Sequence, residues 1–115
     1  SRRKNAQIYR NELKSGNVFI PRPDLNTFDT YHTFVVQVEQ REKLIKYLQK
    51  NGVQTSIHYP NPIHLQPAAK YLGYKKGSFP VTESQSKKIL TLPVNQFLKE
   101  KHLLYIIKCI NKFYE

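Results

Sequence analysis

The sequence has one cysteine, no long apolar run, and only eight acidic residues against nineteen lysines and arginines. A single Cys109 excludes an internal disulfide and points to a reducing compartment, here the cytoplasm. That thiol lies within an apolar helical pattern, where cysteine is usually inert packing rather than a nucleophile. No apolar stretch approaches the roughly 18 residues a membrane span needs, and no signal peptide is visible. There is no GxSxG elbow, no Walker A loop and no GxGxxG, and no carboxylate pair is suggested by spacing. As a stand-alone enzyme the chain is unpersuasive. Internal repeats and low-complexity tracts are also absent.

The scarcity of acids leaves a formal net charge of +11 on 115 residues. Such an excess suits a nucleic-acid surface, an acidic small molecule or an acidic partner domain. The basic residues are spread over the whole chain rather than gathered in one stripe, which argues against dedicated nucleic-acid binding. A stand-alone basic α+β module that binds nucleic acid, using the eight tyrosines, is nevertheless an alternative reading. An apolar content of 39% and an aromatic content of 12% support one folded domain with a modest core.

What is present is organised around residues 52–67, GVQTSIHYPNPIHLQP. Val53, Thr55 and Ile57 alternate with Gln54 and Ser56, the period of a half-buried strand. The run stops at a stiff corner of His58, Tyr59, Pro60, Pro62 and His64. The prolines fix φ and lower the entropy of holding one loop shape.

Around it the chain reads in order. Residues 1–15 form a basic helix with Ala6, Tyr9 and Leu13 on one face, without a capping residue or a first-turn acid, and Gly16 ends it. A self-contained domain rarely opens in this way; a helix cut through its middle would. Residues 17–20 are a short strand, followed by a turn at Pro21, Pro23 and Asp24. Residues 31–38 read as a central strand. Residues 40–51 are a helix with Leu44, Ile45 and Leu48 together, closed by a left-handed Gly52. Residues 67–72 form two helical turns stopped by Gly73. Thr82 and Gln85 fit a capping box, so residues 82–89 are expected to be helical. Residues 90–93 are extended, and residues 99–113 carry Leu103, Ile106, Ile107, Ile110 and Phe113 on one side. The fold class is α+β: a small, mostly antiparallel sheet of three to four strands with helices against one face.

Of the histidines, His58 and His64 sit in a loop that supplies neither cysteine nor carboxylate, so the ligand inventory for a metal is short. Both imidazoles can simply bond the loop backbone. Alternatively His58 and Tyr59 face a polar ligand, donating to phosphate or sugar hydroxyls, with the ring available for stacking. His32 reads as a structural imidazole and His102 as solvated. Lys75 and Lys76, beside Gly77, are weak candidates for touching phosphate.

The ordered motifs carry a resemblance. They are an Arg2-Arg3 pair entering a helix with Tyr9 and Leu13, then Tyr31-His32-Thr33-Phe34 opening a strand. Arg41-Glu42-Lys43-Leu44 opens a helix, and residues 48–55 run through Gly52 into Val53-Gln54-Thr55. His58-Tyr59-Pro60 precedes Pro62-Ile63-His64-Leu65-Gln66-Pro67, and Phe79-Pro80-Val81-Thr82-Glu83 and Leu90-Thr91-Leu92-Pro93 complete the set. Over nearly its whole length the chain resembles the C-terminal small domain of the DegT/StrS-type nucleotide-sugar aminotransferases, which use pyridoxal phosphate. Leu98 departs from the threonine that often starts the last helix there.

The resemblance implies a single small domain, residues 1–115, of a type I pyridoxal-phosphate enzyme. The Schiff-base lysine and the cofactor would then belong to a large domain outside this chain, and the fragment alone would be inactive and hold no cofactor. The parent would move an amino group from glutamate to a nucleotide-linked keto-sugar and act as a homodimer, apart from membranes and nucleic acid. His58, Tyr59 and His64 would contact the sugar nucleotide, and the basic excess would suit its diphosphate. A family member with dehydratase or regulatory activity is the remaining alternative.

Overall fold

The first helix, α1 (Arg2–Glu12), starts under a cap: the Ser1 hydroxyl accepts from the Lys4 N–H at 3.2 Å. The expectation of an uncapped helix is thereby corrected, although its first turn does lack an acid. In the computed structural model, residues 1–21, 33–57 and 65–115 are described. They comprise α1, β1 (Val18–Phe19), β2 (Phe34–Val38), α2 (Arg41–Lys50), a 3₁₀ helix (Pro67–Leu72), α3 (Pro80–Ser86), β3 (Ile89–Leu92) and α4 (Glu100–Phe113).

The sheet has the order β1-β2-β3 and is antiparallel throughout, with Phe34 opposite Leu92 and Val36 opposite Leu90. Alternation along β2 sends Phe34, Val36 and Val38 to one face, where Leu90 and Leu92 join them. The three longest helices close over that face. Tyr9 of α1, Leu44 and Leu48 of α2, and Leu103, Ile106 and Ile110 of α4 share one core with the strand residues. Each such side chain contributes about 1.5–3 kcal/mol by leaving water. The opposite face, with Val35, Gln37, Ile89 and Thr91, is only half-buried.

Asparagines lace α1 to α4. The Asn5 amide donates to the Asn95 carbonyl at 2.9 Å, ahead of α4. At the other end, Asn111 of α4 donates to the Glu12 carbonyl at 3.0 Å and accepts from the Lys14 N–H at 3.3 Å. The two helices therefore run in the same direction. Asn111 also explains why α1 stops at Glu12 and not at Gly16. A side chain from the far end of the sequence satisfies backbone groups that a further turn would otherwise use.

Gly52 closes α2 as expected. Its φ is 82°, its N–H reaches the Gln49 carbonyl at 3.1 Å, and the Val53 N–H reaches the Leu48 carbonyl at 2.8 Å. This is a Schellman closure, with Val53 and Leu48 both buried beneath it. A Cβ at Gly52 would meet nothing within 4 Å, so the cost of Gly52→Ala is one of backbone conformation alone. We expect a loss of about 1 kcal/mol in urea unfolding; an unchanged midpoint would refute the left-handed requirement.

Two other expectations are corrected. The helix near residue 82 begins at Pro80, and Thr82 makes no cap. Glu83 does the reaching back: its carboxylate accepts from the Gly77 N–H at 2.7 Å and the Phe79 N–H at 3.1 Å. The helix also ends at Ser86, because residues 89–92 are drawn into the ladder with β2. Residues 53–57 do not form a strand. They keep the expected alternation of burial but pair at one point, an antiparallel bridge between Ser56 and Thr91.

Candidate functional site

The corner of His58, Tyr59 and His64 lies outside the described residues, as do Tyr31 and His32. What is described is the frame on either side. Upstream, the α2 closure fixes Val53 in the core, and the chain then runs along the free edge of β3. There the Thr91 N–H donates to the Ser56 carbonyl at 2.7 Å and the Ser56 N–H to the Thr91 carbonyl at 3.2 Å. Thr91 thus joins β2 on one side and the approach to the corner on the other. Downstream, Pro67 opens the 3₁₀ helix, Ala69 is buried, and Gly73 ends it at φ 76°.

The upstream segment runs between two hollows. One, of about 290 Å³, is lined by Ile45, Gln49, Val53, Gln54, Thr55 and Ser56. The other, of about 510 Å³, lies between Gly52–Gln54 and the start of α4, with Pro93, Leu98, His102 and Tyr105 on its walls. His102 is exposed, as expected of a solvated imidazole. The Tyr105 hydroxyl donates to the Asn51 carbonyl at 2.9 Å, tying α4 to the end of α2. Sequence reasoning had no signal for this hollow, since its walls come from two segments about forty residues apart.

The floor beneath the frame is held by Tyr9. Its ring stacks on Phe34 with centroids 5.0 Å apart, and its hydroxyl donates to the Pro93 carbonyl at 2.6 Å. Burial pushes this phenol well above its ordinary value. Arg10 lies 5.9 Å from the Phe34 ring centre and donates to the Pro21 carbonyl at 2.6 Å. Tyr114 is pushed up to about 12, first by burial and then by the nearby Glu39 carboxylate. Its hydroxyl donates to the Glu39 backbone carbonyl at 2.6 Å.

Cys109 is buried in α4, in keeping with a packing role. Among the described residues no three metal-capable side chains come together, and no helix is long and apolar enough to cross a membrane. Pyridoxal phosphate requires an amine to anchor it. Neither hollow is lined by a lysine. Neither of these two hollows by itself therefore fits that cofactor.

Comparison with known proteins follows the same lines. A family model described as the DegT/DnrJ/EryC1/StrS aminotransferase family matches residues 1–111. A pleiotropic regulatory protein of Geobacillus stearothermophilus is 34% identical over 98% of the chain and 31% of its own length. The dTDP-3-amino-3,6-dideoxy-alpha-D-galactopyranose transaminase of Aneurinibacillus thermoaerophilus is 30% identical over 97% of the chain and 30% of its own length. The crystal structure of DesV from S. venezuelae, in complex with a ketimine intermediate, superposes with a TM-score of 0.93. It is 30% identical and covers 99% of this chain, which spans 31% of that one. The chain thus spans about a third of the length of the relatives it matches.

Proposed function

Because the chain belongs to the DegT/DnrJ/EryC1/StrS aminotransferase family, we propose that it is the small, substrate-covering domain of a nucleotide-sugar aminotransferase. The observation that carries this reading is the match of the family model over residues 1–111, in a fold that follows DesV over 99% of this chain. On this reading the large domain, with its lysine and pyridoxal phosphate, belongs to the remainder of the intact protein. The cofactor supplies the amino-transfer chemistry. Glutamate is the donor, a keto-sugar on a nucleoside diphosphate is the acceptor, and the working form is a homodimer.

The part assigned to this chain is to bind and orient. His58 and Tyr59 donate hydrogen bonds to the sugar nucleotide, and His64 contacts it or braces the loop. The Ser56–Thr91 bridge and the α2 closure support this reading by giving the loop a fixed upstream anchor.

The test is a kinetic split in the intact protein. His58→Ala and Tyr59→Phe are expected to raise KM for the sugar nucleotide by about three- to tenfold, the worth of one hydrogen bond to substrate, with a smaller change for glutamate. Equal effects on both substrates would count against the assignment. The regulatory name of the Geobacillus relative favours a second reading, a family member without amino transfer. Absence of transfer from glutamate in the intact protein would decide for it.

A further inference from the structure

Asn51 alone among the asparagines is followed by glycine, and the pair sits where α2 closes. That pair carries chemistry of its own. The Gly52 backbone nitrogen can attack Cγ of the Asn51 side chain. A bond forms between that nitrogen and Cγ, the bond from Cγ to Nδ2 breaks, and the Gly52 amide proton leaves with Nδ2 as ammonia. Water then opens the five-membered imide at either carbonyl, which leaves aspartate or isoaspartate at position 51. Glycine hinders the attack least, because it places no Cβ beside the nitrogen.

The fold opposes this reaction at every group it needs. Imide closure places the Gly52 nitrogen alongside Cβ of Asn51, and at a ψ of 13° that nitrogen is turned away from it. The leaving nitrogen, Nδ2, donates to the Tyr47 carbonyl at 2.8 Å. The Gly52 N–H donates to the Gln49 carbonyl at 3.1 Å. The Asn51 carbonyl, which must swing as ψ changes, accepts from the Tyr105 hydroxyl at 2.9 Å. Yet Gly52 is exposed and lines the larger hollow, so water has access to the imide as soon as it forms. The barrier is local: opening the α2 closure frees all of these groups without unfolding the core.

We propose that Asn51 is a modification site, converted to aspartate or isoaspartate without an enzyme at a rate set by how often the α2 closure opens. The product weakens that closure in turn. A new carboxylate at the C-terminal end of α2 lies against the negative end of the helix dipole. The Tyr47 carbonyl also loses its side-chain donor. Modification therefore loosens the upstream anchor of residues 53–57. The chemistry does not depend on the function proposed above.

The experiment is incubation of the intact protein in mildly alkaline buffer, folded and in urea, followed by peptide mass mapping that separates aspartyl from isoaspartyl products. Wild type is expected to gain the mass increment of deamidation at Asn51 before any other asparagine. The reaction should run at least about tenfold faster in urea, because the folded rate is scaled by the open fraction. Tyr105→Phe removes the tie to the Asn51 carbonyl and should speed the folded reaction about three- to tenfold, the worth of one hydrogen bond. Its rate in urea should match wild type. Asn51→Gln should yield no product over the same period. Asn51→Asp, a lasting copy of one product, should quicken hydrogen exchange at the Gly52 and Val53 amides about tenfold, through the lost donor and the helix dipole. Absence of product at Asn51 in the folded protein overturns the proposal, as does earlier reaction at another asparagine. Equal rates folded and in urea, or an unchanged folded rate in Tyr105→Phe, refute control by the closure. If Tyr105→Phe quickens exchange at the core amides of Leu44 and Leu48 as much as at Gly52, the opening is global and the local barrier falls.

Discussion

Tyr9→Ala is expected to cost about 3–5 kcal/mol of folding stability, the range for removing a large buried ring. Tyr9 is fully buried, stacks on Phe34 and holds the Pro93 carbonyl. The truncation removes the ring from under the sheet and leaves that carbonyl without its donor. Tyr9→Phe keeps the ring and loses only the hydroxyl, so about 1–2 kcal/mol is expected. The difference between the two variants separates packing from hydrogen bonding. For a domain stable by about 5–15 kcal/mol, the alanine variant should be partly unfolded well before wild type in a urea titration. A loss under 1 kcal/mol for Tyr9→Ala would refute the placement of this ring at the junction of α1, β2 and β3.

The second large effect is alkaline unfolding. Burial raises the phenol of Tyr9 far above its ordinary value, and Tyr114 rises from 10.0 to about 12. Both groups hold their protons more tightly folded than unfolded. Below pH 10 the phenols are protonated in either state and their contribution is whole. As pH climbs from about 10 through 12 the unfolded chain loses those protons first, and the contribution drains away. Far-ultraviolet circular dichroism should therefore change in one cooperative step above pH 11, together with the ionisation of these two phenols. Tyr9→Phe should shift that step upward relative to its own stability at neutral pH. Full tyrosinate absorbance for all eight tyrosines, Tyr9 and Tyr114 included, while the fold stays intact would contradict the burial of these two.

Much of the scaffold was legible because its signals are local. Leu103, Ile106, Ile107 and Ile110 recur at helical spacing and mark α4, and the alternation from Phe34 to Val38 marks β2. Gly52 announced its left-handed turn. The misreadings share a cause: a distant group took the place of a local one. Gly16 looks like the end of α1, but Asn111 ends it earlier from the far side of the core. Thr82 has the right spacing to Gln85 for a cap, but Glu83 captures the N–H groups instead. Residues 53–57 have the period of a strand, yet period alone does not supply a partner for every residue, and one bridge to Thr91 is what forms. The corner of His58, Tyr59 and His64 stood out by composition, and of its upstream anchors Gly52 was legible in the sequence while the Ser56 bridge could be read only from the assembled sheet.

The lacing of α1 to α4 also governs how the molecule assembles. Asn5 finds its acceptor 90 residues away and Asn111 finds its own 99 residues away. Such closures lose chain entropy before packing rewards them. The sheet and α2 can collapse early, but their apolar side waits open until both extremities of the sequence arrive and lie side by side. A copy in which α1 and α4 have not yet met keeps that apolar side open to its neighbours.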